Sequence, residues 1–342
     1  MRVEADTDHQ GPACRLVAEA LGVEIAITGL SAGEMRYRLE GQGEPWRWAD
    51  LVGHGPITVS LATDPIHEPV EGAPVVYERD LPDGEVRLVS GGRAEFRVES
   101  RHDAHGGILP YCFHAAVAQQ LARAGVLTLH AATVIVPQGG ILAIGRKGAG
   151  KSTLTASALK AGLGVVTDDW VLAGVTGQVM QVERMRDYMM WRKGWAIEQL
   201  KRFLPADLLR ESSTRPRFQL WLPEGDPRFP GSATVAAACV LERPASGRRE
   251  QTRSSPIAGA RALGSIMESS MPLVLSERLP VERSCLLPRL IALLAHQRWY
   301  RVEAGTDLVE HTQAAWHSLL ATFSGSRYLS GHRRVDGPRR PL

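Results

Sequence analysis

Two short stretches of this chain hold the residue types that chemistry needs. The first is Gly145-Arg146-Lys147-Gly148-Ala149-Gly150-Lys151-Ser152-Thr153, which satisfies G-x-x-x-x-G-K-[ST] at every fixed position. Glycines let a backbone curl until successive N–H groups aim at one anion. A helix that starts at the end of such a loop adds the positive end of its dipole. In this pattern Lys151 reaches terminal phosphates and Ser152 offers its hydroxyl to Mg²⁺. Gly145, Gly148, Ala149, Gly150, Lys151, Ser152 and Thr153 are therefore the candidate nucleotide-binding residues. The second stretch is Asp168-Asp169, which comes seventeen residues after Lys151. Neighbours on a strand point to opposite faces, so the two carboxylates cannot share one job by symmetry. One of them suits Mg²⁺, directly or through water, and the other suits the attacking group. A surface Asp-Asp turn after a strand is the alternative reading of the pair.

Elements must position these residues, and the flanking sequence supplies them. Gly139-Gly-Ile-Leu-Ala-Ile144 is a short apolar run of the kind that makes a buried strand. From Lys151 to Leu159 the Ala and Leu spacing predicts a helix that closes at Gly162. Val126 to Val136 predicts a second buried strand, joined through the tight Pro137-Gln-Gly-Gly140 turn, so that an antiparallel hairpin feeds the loop. A helix is expected from Pro110 to Ala124, with Phe113, Ala116, Val117, Leu121 and Ala122 on one face. The strand from Leu163 to Thr167 delivers the aspartate pair. Further on, residues 180–232 are rich in Arg and Lys. Trp191, Trp195, Leu200 and Phe203 interleave with these charges at the spacing of an amphipathic helix. Most of those charges read as a solvated face, while Arg215 or Arg217 is a candidate to close over a transferred phosphate. Thr234 to Leu241 and Trp299 to Val302 predict strands. Ile257 to Met267, Leu286 to Leu294 and Asp307 to Leu320 predict helices.

At the scale of the chain, 342 residues suffice for two domains. A β-rich module is expected over 1–105, with strands at Val23–Ile27, Ile57–Leu61, Val75–Tyr77, Glu85–Val89 and Ala94–Val98 between Gly, Pro and Asp turn signals. The phosphate-binding domain is expected over 106–323, followed by a disordered basic tail over 324–342. A net charge of +3 is too small to argue for a nucleic-acid partner. The polar N-terminus lacks the apolar core of a signal peptide, and no stretch has the length of a membrane span. The four cysteines, Cys14, Cys112, Cys239 and Cys285, include no C-x-x-C pairing, which suits a reducing cytoplasm.

The combination Leu129-His130-Ala-Ala, Gly145-x-x-Gly-x-Gly-Lys-Ser-Thr and Thr167-Asp168-Asp169 resembles the HPr kinase/phosphorylase family and its related kinases. That group shares a P-loop fold with phosphoenolpyruvate carboxykinase. The resemblance implies an α/β fold with that core, using ATP and Mg²⁺. It implies that Lys151 and Ser152 bind phosphate and magnesium, that Asp168 is the base for the substrate hydroxyl, and that Asp169 accompanies Ser152 at the metal. It also places His130 near the phosphates; a packed histidine in a hairpin is the other reading of that residue. Arg146-Lys147 and Thr153 depart from the bifunctional enzymes, and their Glu-x-Arg-Gly-Leu-Gly signature does not follow the aspartate pair. The chain looks more like relatives that phosphorylate peptide precursors, lasso-peptide precursors among them. The expectation is a cytoplasmic Ser kinase for a small protein or peptide, with homo-oligomers implied by the family. A nucleotide-driven switch that transfers no phosphate is the rival expectation.

Overall fold

The computed structural model describes residues 2–5, 13–28, 57–62, 75–81, 84–89, 93–98, 118, 121–122, 125–185, 188–204, 206–211, 217–244, 250–269 and 283–324. It is a mixed α/β structure built on a large central sheet. Arg215, the tail from 325 onward and most of the helix expected over 110–124 lie outside the described residues.

Seven strands, β1 (Arg2–Ala5), β2 (Ala13–Ala18), β3 (Val23–Thr28), β4 (Ile57–Ala62), β5 (Val75–Leu81), β6 (Gly84–Val89) and β7 (Arg93–Val98), form one sheet in the order β1-β2-β3-β4-β7-β6-β5. Every pairing in it is antiparallel. A 3₁₀ turn at Glu19–Leu21 joins β2 to β3.

The central sheet starts with β8 (Val126–Val136) and β9 (Gly139–Ile144), the expected hairpin. Its turn is tighter than the sequence suggests, because Gly139 and Gly140 already belong to β9. Beside β8 run β10 (Gly164–Thr167) and β11 (Trp170–Thr176), and β12 (Val179–Arg184) pairs with β11. Three further strands, β13 (Tyr188–Arg192), β14 (Leu209–Glu211) and β15 (Arg217–Trp221), make a separate small sheet. β16 (Ser232–Glu242), β17 (Arg253–Ile257) and β18 (Trp299–Glu303) complete the central sheet. Pairings run β8–β9, β9–β16, β16–β12, β12–β11 and β11–β8, so these strands close a circuit. β16 pairs with β9 and β18 in parallel, so all three strands end on the same side.

Alternation along β8 and β9 separates two apolar clusters, as a period of two requires. Ala132, Val134, Ile141 and Ala143 join α1 (Lys151–Lys160), the small sheet and the C-terminal helices α5 (Asp307–Glu310) and α6 (Thr312–Ser324). Leu127, Leu129, Ala131, Leu142 and Ile144 meet α3 (Gly259–Ser269) and α4 (Arg283–Ala295) instead. The remaining helix, α2 (Trp195–Leu200), packs with the first cluster through Ile197 and Leu200.

Two differences from the sequence reading have clear causes. Trp191 lies in β13 rather than on an amphipathic helix, and helix starts only at Trp195. The run Tyr188-Met-Met-Trp-Arg192 is rich in bulky apolar residues that suit a strand as well as a helix face, and the fully buried Trp191 lies opposite Phe218 of β15. The helix expected from Asp307 to Leu320 is broken at His311, whose φ of −123° and ψ of 46° are not helical. Among the described residues no helix is long and apolar enough to cross a membrane.

Candidate active site

Gly145 leaves the end of β9 where there is no room for a side chain. A Cβ there would stand 2.7 Å from the Leu241 carbonyl oxygen and 3.0 Å from the Ala149 Cβ. The backbone then turns, with the Ala149 N–H donating to Arg146 O at 3.0 Å. Gly148 and Gly150 hold φ of +82° and +111°, which only glycine adopts without strain. Gly150 caps α1, and the first N–H groups of that helix have no partner within it. At the other end Gly162, with φ of +79°, closes α1. Its N–H reaches Leu159 O and the Leu163 N–H reaches Ala158 O, the paired bonds of a Schellman motif. Trp316 Nε1 donates to Ser157 Oγ at 3.0 Å and Lys160 Nζ to Val309 O at 2.7 Å, which ties α1 to the C-terminal helices.

Lys151 opens α1, is 6 % exposed, and donates from Nζ to Gly145 O at 2.6 Å. Burial lowers its pKa, while Asp168 and Asp169 partly oppose that shift. The loop's flank is held by Arg146, whose exposed guanidinium makes a two-pronged contact with Glu268 on α3, at 2.8 Å and 2.6 Å. Those hydrogen bonds keep the Glu268 carboxyl below its ordinary pKa.

The aspartate pair sits in a break between two strands that both pair with β8. A bulge between Val165 and Thr167 precedes it, and Trp170 opposite His130 resumes the ladder. Bulges re-aim side chains, and here the two carboxyls part company. Asp168 is 3 % exposed and sends its carboxyl toward Ser152, Trp191 and Lys151. Neither of its oxygens closes a hydrogen bond, and the neighbouring Trp191 Nε1 is likewise without a partner. Burial, then the nearby Asp169, push the Asp168 pKa up to about 7, against the pull of Ser152, Trp191 and Lys151. Asp169 is less buried and lies 3.6 Å from His130 Nε2 through Oδ1. The His130 ring also tilts against Trp170, with centroids 5.3 Å apart.

The loop residues, Lys151, Ser152 and Asp168 thus converge, and His130 joins them through Asp169. No family model and no curated protein matches the chain. Among solved structures, it is similar to the Hpr(Ser) kinase/phosphatase from Coxiella burnetii, at 12% identity and a TM-score of 0.31. That likeness covers 58% of this chain and 99% of the other.

An open groove of about 600 Å³, lined by Pro256, Ile257, Leu294, Trp299, Tyr300 and Thr322, includes none of the loop or aspartate residues. Arg217 starts β15 opposite Arg192. Sequence reasoning missed Trp191, Glu268 and Arg243 as neighbours of the site. Each arrives from a distant element, and no local spacing marks it.

Proposed function

We propose that this chain is a kinase that uses ATP and Mg²⁺ to phosphorylate a hydroxyl, that of a Ser in a small protein or peptide. The observation that carries the reading is Asp168, a buried carboxyl without a hydrogen-bond partner beside Lys151 and Ser152. Leaving such a group unpaired costs stability, and a carboxyl with a raised pKa in that position suits a base held for a reaction. It stands where a glycine loop and a helix N-terminus would hold the phosphates of a nucleotide. The hydroxyl of Ser152 and the carboxylate of Asp169 are hard oxygen donors of the kind that Mg²⁺ takes. Magnesium would draw charge from the transferred phosphoryl group. Asp168 would orient the acceptor hydroxyl and take its proton, while Lys151 would hold the phosphates. The acceptor class, a small protein or a ribosomal peptide precursor, follows the resemblance carried by His130, the loop and the Thr167-Asp-Asp169 stretch.

The test is transfer from γ-labelled ATP with Mg²⁺ to small acceptor proteins and peptides from the same source. Label on an acceptor Ser, absent with both Lys151→Ala and Asp168→Asn, is the expected result. Lys151→Ala should also weaken nucleotide binding markedly, and Asp168→Asn should not. Label released only as free phosphate would replace this reading with that of a nucleotide switch.

A further inference from the structure

A cation from a distant strand end reaches across the loop. Arg243 directly follows β16, is exposed, and donates from Nε to Gly148 O at 2.8 Å. Ninety-five residues separate the two, and parallel pairing brings them together: Val240 of β16 lies opposite Ile144 of β9, so both chains leave the sheet side by side. The contact depends on glycine. A Cβ on Gly148 would stand 2.2 Å from Arg243 Nη2, which places the guanidinium directly over the loop backbone.

A guanidinium carries five N–H donors in a planar fork. Only Nε is engaged among the described residues, since the adjacent carboxylate, Glu242, is taken by Arg301 Nε at 2.8 Å. Of the loop's own cations, Lys151 is drawn inward to Gly145 O, Arg146 is paired with Glu268, and Lys147 is exposed. Arg243 therefore presents unspent donors beyond the carboxyl ends of β9, β16 and β18, on the side where the loop lies.

We propose that Arg243 contacts the terminal phosphate of a bound nucleoside triphosphate, with Nε holding the Gly148 carbonyl and the two Nη groups facing the phosphate. This rests on the nucleotide-binding reading. In such a loop the N–H groups take the inner phosphates and side chains meet the outer one. A planar fork is suited to bridging a carbonyl and a phosphate, whereas an ammonium is a single point charge. Arg243 thus distinguishes a triphosphate from a diphosphate.

Calorimetric titration of the full chain with ATP and with ADP, each with Mg²⁺, tests the assignment in the parent, Arg243→Ala and Arg243→Lys. Arg243→Ala should weaken ATP binding by roughly ten- to a hundredfold, the worth of a charge-assisted hydrogen bond, and weaken ADP binding much less. Arg243→Lys should recover only part of the loss. Its exposure means that neither variant should shift the unliganded melting temperature. Equal losses for ATP and ADP would overturn the proposal and leave Arg243 as a prop for the loop. Unchanged ATP binding would overturn it too. A parent protein that binds neither nucleotide would sink the nucleotide reading itself and this assignment with it.

Discussion

Asp168 has a pH signature of its own. An aspartate in an unfolded chain titrates near ~3.9, whereas burial and Asp169 hold this one at about 7 in the folded protein. Between those values the folded state keeps a proton that the unfolded state has lost. Stability therefore falls as pH rises through that window, and the full penalty stands above it. Asp168→Asn removes the penalty, so the variant should outlast its parent in urea at pH 8 by a few kcal/mol, with the advantage gone at pH 4. A constant difference at both values would mean that the carboxyl is not held protonated. For the proposed transfer a base must be ionised, so kcat/KM should rise with pH up to about 7. Lys151, Ser152 and the aspartates were legible from spacing alone, because loop and strand end are short and contiguous. The raised pKa was not, because it comes first from burial, which distant elements complete, and only then from the neighbouring Asp169.

Among the elements, the hairpin of β8 and β9 and the helix α1 set the loop's shape, and Gly145 is where they meet β16. Gly145→Ala places a Cβ 2.7 Å from a backbone oxygen that no rotamer change can move. The strands must separate, at about 1–3 kcal/mol for an overpacked core position, and the loop must lose its register. Gly194→Ala is the control: its φ of 178° is extended and nothing lies within 4 Å. Thermal melts and nucleotide titration of the two variants should separate them, and equal behaviour would show that the crowding at Gly145 is unimportant. Element by element, β8, β9, α1, β10, β16 and β18 follow their hydrophobic periods closely. β12 and β13 to β15 escaped notice because their residues mix charged, polar and apolar types without a clean period. β17 carries Pro256, which suits its place at the end of the strand order rather than a central strand.

Over the whole molecule, the seven-stranded sheet is tied to the central one by its 3₁₀ turn. Ala20 N–H donates to Glu183 Oε2 at 3.0 Å, and Leu21 packs so close to Gly174 that a Cβ there would sit 3.1 Å from its Cδ2. Glu183→Ala should leave the Ala20 N–H unpaired, cost about 1–3 kcal/mol, and hasten protease cleavage within residues 1–105. Glu183→Gln keeps an acceptor oxygen and should behave close to the parent. Identical cleavage in all three proteins would show that this contact does not join the two sheets. The glycine loop, the helix behind it, the hairpin before it and the aspartates after it are written locally, because each is specified by neighbours within a few residues. Tertiary structure alone decided that Asp168 is buried beside Trp191, that Asp169 turns to His130, and that Arg243 crosses to Gly148. Those meetings depend on a bulge, on a parallel strand pairing and on the packing of a separate small sheet, which join residues far apart in the chain.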